Sequence, residues 1–335
     1  MNIRKVISFD DVLLSPQESS IISRQEVDLS SGRENLKLSL PIISSPMDTV
    51  TETGMASTMN LFGGLGVIHR YNSIEEQIEM CSVGGWRRAA AIGASGDFIE
   101  RSQALYNAGI RIFCLDVAHG HHVLIKEAIG ELKNFFTDIT IVAGNVATLD
   151  AFNDLSDWGA DAVRVGIGGG SICSTRIQTG HGIPTLQSVL DCSASDRNAM
   201  LIADGGIKNS GDIVKAIAAG ADFVMLGSLL AGTDESPGSV FESSNGKKYK
   251  VYRGMASVEA QVDWRGEARS LEGISTTIPY KGSVKPILDA LRQNIKSGLS
   301  YSGARSISEF QSKAKFILQT TAGQLESNTH ILNVK

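Results

Sequence analysis

The apolar positions of this chain gather in short unbroken runs rather than in strict alternation. Runs rich in Val, Ile and Leu recur at "PIISS" from Pro41, "GVIH" from Gly66, "RAAAI" from Arg88 and "IRIFCLD" from Ile110. They continue at "ITIVAG" from Ile139, "AVRVG" from Ala162, "MLIAD" from Met200 and "FVMLG" from Phe223. Between them lie stretches such as "DFIERSQALYNAG" and "NSGDIVKAIAAGA", where apolar residues return every three or four positions and a glycine closes the run. Gly109, Gly159 and Gly220 are the expected helix ends. Continuous apolar strands alternating with amphipathic helices belong to a parallel sheet covered by helices, and eight such units predict an α/β fold closed into a (β/α)8 TIM barrel. An open doubly wound sheet is the alternative.

The last barrel helix is expected in "VKPILDALRQNIKSG", near Val284. About fifty residues therefore follow the eighth strand before it, too many for a routine connection. This excursion, about 233–283, reads as a flap over the barrel mouth. The 335 residues form one catalytic domain in this reading, since barrels of this length are common as single units.

Composition narrows the function. The chain has 31 basic and 36 acidic residues, a net charge of −5, and no basic run suited to a nucleic-acid backbone. No apolar run reaches the ~18 residues of a bilayer span, and "MNIRKVISFDDVLLSP" lacks a signal-peptide core. A soluble, cytoplasmic protein without a membrane or nucleic-acid partner is expected. Cys81, Cys114, Cys173 and Cys192 show no CxxC spacing, which argues against a zinc knuckle or a disulfide scaffold.

"VGIGGGSICSTRIQTGHG", Val165 to Gly182, crowds glycines, two serines and a cysteine behind the sixth strand. It is no dinucleotide fingerprint: Gly166-x-Gly168-x-x ends in Ser171. Cys173 sits among small residues that cannot build a core, so its thiol is a candidate nucleophile, whereas the other three cysteines read as small buried hydrophobes. Phosphates in barrels bind at the ends of the seventh and eighth strands, here Asp204-Gly205-Gly206 and Gly227-Ser228, with Ser171 as a third side. Asp204 beside such a cup suits ribose hydroxyls, and a nucleoside monophosphate is the natural guest.

The motifs "GIGGGSICSTR", "ADGGIKNSGD", "MLGSLLAGTDESPG", "YRGM" and "PYKG" fall in order along the chain. Together with "FDDVLLSP" they resemble the inosine-monophosphate dehydrogenase and guanosine-monophosphate reductase family over almost the whole length. Departures are small: Gly169 where proline is usual and His181 where a small apolar residue is common. The resemblance implies that Cys173 attacks C2 of a purine nucleotide to form a thioimidate, and that a nicotinamide exchanges a hydride there. It implies Thr175 and Glu272 as proton carriers. It places Ser171, Gly205, Gly206, Gly227, Ser228 and Tyr252 around the phosphate, Asp204 at the ribose, and Gly254, Met255, Ala256, Arg269 and Gly273 around the purine. It places Ser23, Arg24, Arg70, Asp116, Val117, Ala118, Ile167 and Gly168 at the cofactor. Gly168, Gly170, Cys173 and Arg176 would form a potassium site, chiefly through carbonyls, and the assembly would be a homotetramer.

The dehydrogenase branch activates water with an Arg-Tyr pair on its flap. None lies between Met255 and Glu272, and Arg70-Tyr71 follows the second strand. The flap instead ends "EARSLEG", similar to the reductase pattern, and no regulatory (CBS) module is inserted between the second and third strands. The resemblance therefore implies reductive deamination of GMP to IMP and ammonia with NADPH. "SSPMDTVTE" and "AGQLESNTH" look more like the dehydrogenase, which keeps oxidation of IMP to XMP with NAD as the alternative; these segments are expected to be scaffold and cation-site surroundings. A purine-nucleotide sensor without catalysis is a third reading, disfavoured by Cys173, Thr175 and Glu272 occurring together. His119, His121 and His122 read as solvated histidines with no acidic partner rather than zinc ligands. Trp86, Trp158 and Trp264 read as packing or flap residues.

Overall fold

A computed structural model describes residues 3–82, 88–269, 271–327 and 329. The eight apolar runs all form strands: Ile42–Ser44, Leu65–Ile68, Ala89–Ile92, Ile112–Asp116, Thr140–Val146, Ala162–Val165, Met200–Asp204 and Phe223–Leu226. Each pairs in parallel with the next, and the eighth closes on the first with Val224 opposite Ile42. Closure excludes the open sheet.

Side chains alternate across each strand. One set, including Leu65, Ala91, Ile112, Val142, Ile202 and Met225, fills the barrel interior. The other, including Ile42, Ile68, Phe113 and Ile141, meets the surrounding helices. Those helices include Thr53–Leu61, Ile74–Ser82, Phe98–Asn107, Val123–Phe135, Leu149–Asp157, Thr185–Cys192, Ser210–Ala218 and Lys285–Ser300. Some of their starts are capped by side chains: the Thr148 hydroxyl accepts from the Ala151 N–H and the Asn209 side chain from the Asp212 N–H. Gly109, Gly159 and Gly220 follow helix ends with φ of 89°, 111° and 111°. The connection between the second and third strands carries the helix Ile74–Ser82, and Trp86 lies outside the described residues. Among the described residues no helix is long and apolar enough to cross a membrane.

Two additions finish the barrel. Strands Ser31–Arg33 and Leu36–Leu38 form an antiparallel hairpin whose Leu36 and Leu38 join the interior cluster. A Cβ on Gly32 would stand 2.4 Å from the ring of Phe223, the first residue of the eighth strand, so the hairpin plugs the end where strands begin. At the other end the flap is an ordered antiparallel sheet of Phe241–Glu242, Lys248–Arg253 and Ser275–Pro279, with the helix Val258–Arg265 between the last two strands. The Lys250 ammonium, 2% exposed, donates to the carbonyls of Thr233 (2.9 Å) and Ser236 (2.5 Å) and pins the sheet to the end of the eighth unit.

Candidate active site

The glycine loop and the flap edge are zipped together by their backbones. The Ser174 N–H donates to the Glu272 carbonyl (2.8 Å), and the Ile274 N–H to the Ile172 carbonyl (3.0 Å). Cys173 bridges to Gly273. This registry brings together three side chains that the sequence leaves far apart. Thr175 Oγ1 lies 3.1 Å from Cys173 Sγ and donates to Glu272 Oε2 at 2.7 Å. Thiol, hydroxyl and carboxylate thus form one relay, at hydrogen-bond distances suited to proton transfer. Cys173 is half-buried, while Cys81, Cys114 and Cys192 are buried.

The relay opens into a cavity of about 700 Å³ at the C-terminal mouth of the barrel. One wall is the cup made by Ser171, Gly205, Gly206, Gly227, Ser228 and Tyr252. Tyr252, 4% exposed, points its hydroxyl at Ser171 Oγ (3.3 Å); burial raises its phenol pKa against the opposing hydrogen bond from Ser171, so it meets a ligand as a neutral donor. Gly205 and Gly206 hold φ of 89° and 76° and pass close to the glycine loop. The departure at Gly169 has a cause here, because a Cβ on it would meet Thr185 Oγ1 at 2.5 Å. The other departure, His181, lies exposed with its Nδ1 2.8 Å from the Thr179 carbonyl.

On the cavity floor Asp204 Oδ2 accepts from Arg164 Nη2 (2.9 Å) and Asn145 Nδ2 (2.8 Å), and Arg164 Nη1 also donates to Asp116 Oδ1 at 2.5 Å. Val117, Ala118, Ile167, Gly168, Gly170, Gly254, Met255, Ala256 and Gly273 line the same space, as do Arg70 and Arg176. The Arg176 guanidinium holds the carbonyls of Ile167 (3.1 Å) and Ile183 (2.6 Å), so it braces the loop.

Three expected residues stand apart. Arg269 is 73% exposed and paired with Glu267 at 2.5 Å; the flap arginine on the cavity is Arg265, with Gln261 beside it. Gly266, at φ 77°, turns the chain away between the two. Ser23 and Arg24 lie outside the cavity: Ser23 caps the short helix Arg24–Glu26, and Arg24 lines a separate hollow with Ile22 and Tyr301. Two smaller expectations are corrected. His121 does have an acidic partner, with Nε2 2.8 Å from Asp154 Oδ2, because the helix Leu149–Asp157 packs beside its loop. "SSPMDTVTE" is more than scaffold, since Ser45, Pro46 and Met47 face the cavity. Among the described residues no group of three His, Cys, Asp or Glu side chains could hold a metal ion.

Sequence reasoning missed Asn145, Arg164, Gln261, Arg265, Lys208 and Tyr71, all on the cavity wall. One signal was available for Arg164: a charge inside the run "AVRVG" must be paired if buried. Trp158 lies 5.9 Å from the His121 ring, and Trp264 stacks on Tyr71 with centroids 4.1 Å apart.

Comparison with known proteins converges on one family. Residues 6–330 match the family model described as the IMP dehydrogenase / GMP reductase domain. The chain is 33% identical to an inosine-5'-monophosphate dehydrogenase from Nitrosopumilus maritimus, covering 98% of this chain and 99% of that protein. It is 32% identical to a GMP reductase from Leishmania major, covering 97% and 96%. A solved GMP reductase from Trypanosoma brucei in complex with guanosine 5'-monophosphate superposes with a TM-score of 0.92 at 31% identity, over 98% of both chains. With its motifs placed in order around a closed barrel, this chain belongs to the IMP dehydrogenase / GMP reductase family and is an oxidoreductase.

Proposed function

We propose that this chain catalyses the NADPH-dependent reductive deamination of GMP to IMP and ammonia. The observation that carries the reading is the relay from Cys173 through Thr175 to Glu272. Cys173 Sγ bonds to purine C2, and the bond from C2 to the exocyclic nitrogen breaks. The proton given up by the thiol passes through the Thr175 hydroxyl to the departing amine, which leaves as ammonia. Glu272, which accepts from the Thr175 hydroxyl, orients it and exchanges its proton. A reduced nicotinamide, when bound, supplies the hydride that replaces the amine at C2. The C2–S bond then breaks, IMP leaves, and the Cys173 sulfur regains a proton from solvent.

The cavity suits both partners. Arg70 and Asn145 line it, and Arg70 Nε and Asn145 Oδ1 are a buried donor and a buried acceptor without a hydrogen-bond partner. Asp116, Val117, Ala118, Ile167 and Gly168 form the cofactor side in this reading, and Asp204 takes the purine ribose. The carbonyl oxygens of Gly168, Gly170 and Cys173 are hard donors on one loop and fit an alkali cation such as potassium. A homotetramer and a cytoplasmic location complete the proposal, with Ser23 and Arg24 serving a cofactor only across a subunit boundary.

One observation favours the dehydrogenase reading, oxidation of IMP with NAD: Arg70 and Tyr71 do line the cavity. Burial raises the Tyr71 phenol pKa, which makes it a neutral donor rather than a base. The test is spectrophotometric. GMP with NADPH should lose reduced-nicotinamide absorbance, and Cys173→Ala should abolish the loss. A gain with IMP and NAD, and no loss with GMP, supports the dehydrogenase; nucleotide binding without either change supports a sensor.

A further inference from the structure

A single guanidinium ties together the two carboxylates of the cavity floor. Arg164 is 6% exposed and points into the barrel from the sixth strand. Its Nη1 donates to Asp116 Oδ1 at 2.5 Å, at the end of the fourth strand. Its Nη2 and Nε donate to Asp204 Oδ2 at 2.9 and 3.3 Å, at the end of the seventh. Asn145 Nδ2 adds a fourth bond, also to Asp204 Oδ2, at 2.8 Å. Every one of these bonds uses the same oxygen of its carboxylate. Asp116 Oδ2 and Asp204 Oδ1 are therefore the oxygens left to receive hydroxyls.

A planar fork can serve two carboxylates at once, which an ammonium on a flexible stem cannot do with fixed orientation. Arg164 contacts no position assigned to purine C2 or to the hydride, so any role in the reaction runs through its partners. Resting on the proposed roles of Asp204 at the ribose and Asp116 at the cofactor, we infer that Arg164 is a positioning residue that couples the two ligand sites. A hydroxyl bound at Asp116 fixes that carboxylate, which fixes the guanidinium, which fixes Asp204. The first ligand thus orders part of the site of the second, and binding is cooperative in the positive sense. Loss of Asp116 leaves the guanidinium held on the fourth-strand side only by the Cys114 thiol, at 3.5 Å from Nη1, and the orientation of Asp204 is loosened to what Asn145 and this weakened brace can fix, even when no cofactor is present.

The test is a calorimetric titration of GMP, without cofactor, into the wild-type chain, Asp116→Ala, Arg164→Lys and the double variant, each first checked for folding by circular dichroism and thermal melting. Asp116→Ala is expected to weaken GMP by about fivefold or more, although Asp116 stands on the cofactor side. Arg164→Lys keeps the charge but loses the bridge; it should weaken GMP as well, and Asp116→Ala should add nothing further in that background. A GMP affinity unchanged by Asp116→Ala, or two substitutions whose effects simply multiply, overturns the inference while leaving the functional reading intact. A folded wild-type chain that binds neither GMP nor IMP overturns the functional reading, and the coupling with it.

Discussion

Cys173 differs from the other cysteines in its surroundings rather than in its chemistry. Burial pushes the thiols of Cys81 and Cys192 up to about 12 and that of Cys114 up to about 11, the last despite the nearby Arg164. At about pH 8 these three carry about one part thiolate in a thousand or less, and they are sterically closed as well. Iodoacetamide should therefore add once, at Cys173, with GMP slowing the reaction; intact mass and peptide mapping check this, and labelling at Cys81 or Cys192 in the folded chain would contradict it. The contrast was legible only in part: the glycines and serines of "GGGSICST" offer Cys173 little to be buried in beyond Ile172, and Cys114 lies in the apolar run "IFCLD", but Cys81 and Cys192 have polar sequence neighbours and owe their burial to the inward faces of their helices. Arg164 shows where such legibility stops. Alternation sends its side chain into the barrel, but its partners arrive from the fourth and seventh strands, and no local pattern says which carboxylates close on it.

At the scale of elements the flap is what completes the site, since Glu272 rides on it. The excess length after the eighth strand announced a flap, yet its sheet stayed hidden: Lys248–Arg253 pairs with Ser275–Pro279 across an intervening helix, a contact that no short window contains. The same long-range folding sets where the flap arginines lie, with Arg265 on the cavity and Arg269 beyond the turn at Gly266. Two contacts hold the flap helix down on the barrel. Arg253 bridges Asp48 (2.7 Å) and Asp263 (2.5 Å), and Trp264 stacks on Tyr71 with the Arg70 guanidinium 5.3 Å from its ring. An aromatic pair contributes about 0.5–1.5 kcal/mol beyond its buried area. Trp264→Ala should thus raise the open-flap population by roughly two- to tenfold. Activity should fall and cleavage by trypsin within the flap should quicken, while the melting temperature of the barrel stays nearly unchanged. A large drop in melting temperature would instead make Trp264 part of the barrel's stability.

Across the whole molecule, chemistry and stability occupy opposite ends of one cylinder. Every residue of the proposed relay and cup lies at the mouth where strands finish, as barrel geometry requires. The opposite end is stoppered by the hairpin Ser31–Arg33 and Leu36–Leu38, whose leucines sit 1% and 0% exposed among Phe223, Met200 and Ala162. The hairpin carries no recognisable motif. "LKLSL" looks like a surface strand until its alternate leucines are seen to enter the barrel, so its part in the fold comes from tertiary packing alone. Truncation of a fully buried leucine costs about 2–5 kcal/mol through lost transfer energy and the cavity left behind. Leu38→Ala should lower the unfolding free energy by that amount, read as a lower denaturant midpoint at an unchanged slope, because the unfolded surface is nearly the same. Well below the melting transition its GMP affinity and its rate of Cys173 alkylation should match the wild type, since the eight strands carry the mouth independently of what fills the base. If GMP affinity dropped in step with stability, the plug would be setting the positions of strand ends as well as closing the barrel, and the separation of the two ends would fail.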